Sequence, residues 1–127
     1  MTSISTDSAP APRGHYSQAR IVGDLIFTAG VLSVDPATNK TVGVGDAAEQ
    51  TRQILRNLAA ILAAAGATLD DVVQLRGFLA HPAIDKDAYD AVFPEFFSEP
   101  YPAHLTAGAD LNGFLVEIEV IAARPAQ

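Results

Sequence analysis

Between Asp46 and Gly66 the chain carries one apolar stripe at helical spacing: Ile54, Leu55, Leu58, Ile61, Leu62 and Ala65. That periodicity predicts a helix over Ala47–Ala65, opened by Asp46 as N-cap with Glu49 in capping-box position and closed by Gly66 in a left-handed C-cap. A helix apolar on a single stripe must lay that stripe against a second layer. The flanking segments supply it. Ala19–Val22 and Leu25–Ala29 around a Gly23-Asp24 turn read as a hairpin, and Val72–Leu79 reads as a strand. A second amphipathic helix is predicted from Asp85 or Asp87, with Tyr89, Val92, Phe93, Phe96 and Phe97 on its core side and a kink or restart at Pro94.

Strands Ala103–Ala109 and Phe114–Ala123 follow, with a turn around Asp110–Gly113, giving the order β-β-α-β-α-β-β. Helical crossovers between strands make those strands parallel, and two helices cover one face of the resulting mixed sheet. On the last strand Val116, Ile118 and Val120 suit the covered face, leaving Glu117, Glu119 and Ile121 on the other. On the strand before it, His104, Thr106 and Gly108 alternate with Leu105, Ala107 and Ala109. A mixed polar and apolar open face of this kind predicts burial by partner subunits in a closed oligomer.

With 127 residues the chain fits one domain over 1–127, and residues 1–12, rich in Ser, Thr, Pro and Ala, are expected to be a flexible lead. Cysteine is absent, which removes disulfide scaffolds, Cys-containing zinc sites and thiol nucleophiles. The balance of 8 basic against 15 acidic residues, net −7, works against nucleic acid, and the basic residues form no patch. The start lacks a basic, apolar signal pattern, and the apolar run Leu58–Ala65 is too short for a bilayer, so a cytoplasmic protein without membrane association is expected. His15, His81 and His104 lack metal-site spacing, no GxSxG elbow occurs, and Gly43–Gly45 is too short for a phosphate loop.

The segments GHYSQA (14–19), GDLIFTAG (23–30), DP-T (35–38), EQTRQILRNLAAILAAAG (49–66), DDVVQLRGFL (70–79), EFF (95–97), YPAH (101–104) and VEIEVIA (116–122) together resemble the Rid family, the YjgF-type reactive intermediate deaminases. The resemblance spans residues 9–123 and implies a chorismate-mutase-like α+β fold. It further implies a homotrimer whose three sheets line a central barrel, with sites at the subunit interfaces. Active members hydrolyse enamines and imines such as 2-aminoacrylate without metal or organic cofactor. Related subgroups take 3-aminoacrylate or 2-aminomuconate, and others have no known imine hydrolase activity.

Imine hydrolysis requires a group that holds water near the C=N carbon and a proton donor near the nitrogen. A 2-imino acid also presents a carboxylate, best gripped by a guanidinium. Where active Rid proteins carry that arginine, after a Pro-Ala pair, this chain has His104. Ala29 replaces a serine, Val31 a glutamine, Asp90 an asparagine and His15 a proline, whereas Tyr16 and Glu117 match. The resemblance therefore implies Glu117 and His104 as catalytic residues and Tyr16, Ala29, Gly30, Asp90 and Thr106 as substrate contacts. Arg13 and Arg76 are the candidates for a substitute cation. Plainer roles compete: a satisfied strand histidine, a solvated Glu117, a Tyr16 ring packed at a subunit seam.

Glu119 shares the face of Glu117, and carboxylates ~7 Å apart along a strand disfavour joint ionisation. The expected function is a diverged enamine or imine hydrolase acting on a small metabolite, not a general 2-aminoacrylate deaminase. The alternative is a non-catalytic trimer that binds a small molecule or shields clients like a chaperone. An endoribonuclease, an activity attached to some family members, is least favoured by the charge balance.

Overall fold

The computed structural model describes residues 1–125, so the last two positions of the expected 1–127 domain lie outside the described part. Helix α1 (Ala47–Ala64) ends within one residue of expectation. The Asp46 carboxylate accepts from the Glu49 amide at 3.0 Å, but Glu49 turns to Arg52 and Arg56 and does not close the box. Gly66 (φ +82°) closes the helix: its N–H reaches Ala63 O and that of Ala67 reaches Leu62 O, a Schellman pairing. Ile54, Leu55, Leu58 and Leu62 are fully buried.

Strands β1 (Thr2–Ile4), β2 (Ala19–Val22), β3 (Leu25–Thr28), β4 (Val72–Leu79), β5 (Ala103–Gly108) and β6 (Val116–Ala123) form one six-stranded sheet in the order β1-β2-β3-β6-β4-β5. Both crossover expectations hold. β4 and β5 pair in parallel, and β3 runs parallel to β4 because β6 lies between them, antiparallel to both. With helix α2 (Pro82–Val92) beside α1, the fold is α+β with a mixed sheet. Helix α2 starts earlier than Asp85 because Pro82 occupies its first turn, where the missing amide costs nothing. Pro94 does restart the chain: Phe93–Glu95 form a 3₁₀ turn. Arg52 ties that turn to α1 through two 2.9 Å bonds to Glu95.

The expected flexible lead over residues 1–12 needs correction. Thr2–Ile4 pair antiparallel with Ala19–Ile21, and Ala9 is buried. The cause is Gln18, whose buried amide accepts from Thr6 N at 2.7 Å and donates to Thr6 O at 3.0 Å and Pro10 O at 2.9 Å. Two buried polar groups on α1 fix the other loops that frame the site. Asn57 donates to Leu32 O and Val34 O, while Gln50 donates to Gly43 O and accepts from Leu115 N.

Candidate active site

Strand β3 ends at Thr28, and the chain rejoins the sheet only at Val31, which exchanges backbone hydrogen bonds of 2.8 and 3.1 Å with Ile118. The detour through Ala29 and Gly30 opens a cavity of about 70 Å³ lined also by Arg13, Tyr16 and Glu117, with Pro10 and Ala11 on its wall. That volume holds a few waters or a small polar group. Gly30 is needed for the close approach: a Cβ there would lie 2.9 Å from Glu117 Cδ. Gly30→Ala should therefore displace the Glu117 carboxylate at little cost to folding, because a flexible side-chain end can move. The melting temperature is expected to shift by no more than a few degrees (within ~1 kcal/mol) while ligand binding or turnover at this cavity drops.

Glu117 is half-buried, and no hydrogen bond or ion pair engages its carboxylate among the described residues. Burial pushes its pKa up, and the negative charge of Glu119 adds to the rise. Glu119 is itself held by Arg76 at 2.8 Å on the open face of the sheet. This separates the two candidate substitute cations: Arg76 is committed to Glu119, whereas Arg13 lines two cavities that both contain Glu117. The Arg13 guanidinium stands 5.9 Å from the Phe114 ring centroid, a cation–π placement. Its amide donates to the Tyr16 hydroxyl at 3.2 Å, which holds that half-exposed phenol at the rim.

His104 lies elsewhere, and its predicted face is corrected by the register. His104 pairs with Leu75, a fully buried residue on the helix-covered side, and Thr106 pairs with Gly77. The open face instead carries Leu105 and Ala107, in line with Arg76 and Phe78 and so with Glu119 and Glu117. Polarity alternation misleads on β5 because α2 supplies a polar partner on the covered side. The Tyr89 hydroxyl lies 2.8 Å from His104 Nε2, and Phe93 meets the imidazole edge-on with centroids 4.8 Å apart. Burial lowers the His104 pKa, Asp90 opposes that shift and Lys86 reinforces it. Asp90 is ion-paired to Lys86 at 2.6 Å. Burial also raises the Tyr89 phenol well above its ordinary value.

One chain thus gathers Tyr16, Ala29, Gly30 and Glu117 around a cavity. His104, Thr106 and Asp90 form a second group that lines none of the main cavities. Tyr89 was not among the predicted site residues. Its signal was a glycine in a strand interior, Gly77, which marks the close approach of another group. Among the described residues no three metal-binding side chains converge, and no helix is long and apolar enough to cross a membrane.

Comparison with known proteins places these features in a family. The chain is 40% identical over 121 residues to a RutC family protein of Pyrococcus horikoshii, covering 94% of each. It is 38% identical over 120 residues to a protein of Dermatophagoides farinae named 2-iminobutanoate/2-iminopropanoate deaminase, covering 93% of this chain and 92% of that one. The crystal structure of RidA from the Antarctic bacterium Psychrobacter sp. superposes with a TM-score of 0.87 at 37% identity, covering 97% of this chain and 99% of that one. The family described as Endoribonuclease L-PSP matches residues 6–124, and the chain belongs to that family, which includes the RutC and YjgF/Rid proteins.

Proposed function

We propose that this protein hydrolyses a small enamine or imine at a site centred on Glu117. The observation that carries the reading is a half-buried carboxylate, free of protein partners among the described residues, facing Arg13, Tyr16 and the Gly30 backbone in a small cavity. An enamine first tautomerises to its imine. Glu117 takes a proton from water as the oxygen bonds to the C=N carbon, and the nitrogen gains a proton. Collapse of the resulting carbinolamine breaks the C–N bond and releases ammonia and a carbonyl product. Arg13 supplies a positive charge where a substrate carboxylate would sit, in place of the arginine that His104 replaces. No metal or organic cofactor enters this scheme.

A homotrimer is part of the proposal. Edge strand β5 and helix α2 carry His104, Thr106 and Asp90 away from the Glu117 cavity, so a neighbouring copy is needed to bring the two groups together. The open sheet face also exposes Phe27, Leu25 and Leu105, apolar surface of the kind that subunits bury. The endoribonuclease reading has less support, because Arg52, Arg76 and Lys86 are each engaged by carboxylates.

The test generates 2-imino acids and aminomuconate-like compounds enzymatically and follows ammonia and oxo-acid release. Acceleration over buffer that is lost in Glu117→Ala is expected. No acceleration with any of these compounds would overturn the hydrolase, and ligand-induced stabilisation without turnover would favour a non-catalytic binding module. A scattering mass of a single protomer would overturn the shared site.

A further inference from the structure

The group around His104 is more specific than the simple presence of a histidine requires. Tyr89 is fully buried, and its hydroxyl reaches the sheet only because position 77 has no side chain: a Cβ there would lie 1.8 Å from the phenol oxygen. Thr106, the register partner of Gly77, shares that face of the sheet, and the phenol meets His104 Nε2 at 2.8 Å. We propose that Tyr89 is a positioning residue that fixes the His104 imidazole as its Nδ1–H tautomer, so that His104 offers a hydrogen-bond donor, and not a base, to a bound ligand.

A buried hydroxyl has one proton to place and loses free energy if it is not accepted. A phenol is a much stronger hydrogen-bond acid than a neutral imidazole N–H, and a bare imidazole nitrogen is a much stronger acceptor than a phenol oxygen. The pair therefore runs from Tyr89 O–H to Nε2. The remaining imidazole proton then sits on Nδ1, which has no hydrogen-bond partner among the described residues. The groups around the ring are Tyr89, Asp90 and Lys86 from α2 and Phe93 from the 3₁₀ turn after it, with Thr106 on the same strand and Leu75 on β4. Asp90 and Lys86 are paired with each other, which leaves Tyr89 as the group that selects the tautomer.

The catalytic meaning of this assignment rests on the proposed hydrolase, where His104 would contact an acceptor atom of the substrate and Glu117 would be the only base. The tautomer itself is readable without turnover. Long-range ¹H–¹⁵N correlation spectra of the labelled protein above neutral pH, with His104 identified by loss of its signals in His104→Gln, should show Nδ1 protonated and Nε2 bare. In Tyr89→Phe the pattern should revert to the Nε2–H form that a solvated histidine side chain prefers. A protonated Nε2 in the wild type would overturn the proposal, as would an unchanged tautomer in a folded Tyr89→Phe. If Tyr89→Phe does not fold, the wild-type spectrum alone decides. Absent turnover with Nδ1–H present removes the hydrolase and leaves the tautomer, whereas turnover with Nε2–H removes only the role of Tyr89.

Discussion

Gly77→Ala should destabilise the fold by ~3 kcal/mol or more and lower the melting temperature on the order of 10 °C, followed by circular dichroism. The added methyl would lie 1.8 Å from the Tyr89 oxygen and 2.6 Å from its ring carbon Cζ. The ring has nowhere to go. It is fully buried, packs edge-on against Phe93 at a centroid distance of 4.8 Å, and belongs to the cluster that α2 lays over the sheet. In a Tyr89→Val background Gly77→Ala should cost much less, because the clash disappears with the ring. The coupling between the two substitutions would then be of the size seen for residues in direct contact. A Gly77→Ala protein within ~1 kcal/mol of wild type would mean that Tyr89 can swing aside.

Glu117→Gln should lower kcat/KM for imine hydrolysis by ~100-fold or more, the scale of a lost general base. The amide keeps the shape of the carboxylate and loses the ability to take a proton from water. The same substitution has a stability signature that needs no substrate. The folded-state pKa of Glu117 is raised above its ordinary 4.5 by burial and by Glu119, so folding favours the protonated form. Its contribution to stability is fully present below that ordinary value and is lost as pH rises through the raised one. Relative to wild type, Glu117→Gln should therefore be more stable at neutral pH than at about pH 3, where both side chains are uncharged. Equal melting differences at the two pH values would show that the carboxylate is fully solvated.

The parts of the fold that were legible in the sequence are those set by local rules. Helix α1 follows from a stripe, a cap and a left-handed glycine, all within twenty residues of chain, and β4 follows from a bounded β-rich run. The N-terminal strand was not legible. Thr2–Ile4 is too short to show a period, and what orders it is the side chain of Gln18, distant in sequence. Nor does spacing reveal that β6 inserts between two parallel strands. At the candidate site, Gly30 and Glu117 were legible because each lies in its own matched segment, and the structure brings the two segments into contact distance. His104 was assigned to the wrong face because a polar residue on a strand is read as facing away from the core. Here the covered side holds a phenol that satisfies it, and only the placement of α2 reveals that partner.

Gln18 stitches Pro10 into place, and Pro10 with Ala11 walls the crevice over Glu117. Trimming the first ten residues should thus spare the central strands yet strip one side from that crevice, so a folded protein with weakened retention of the proposed small molecule is the expected result.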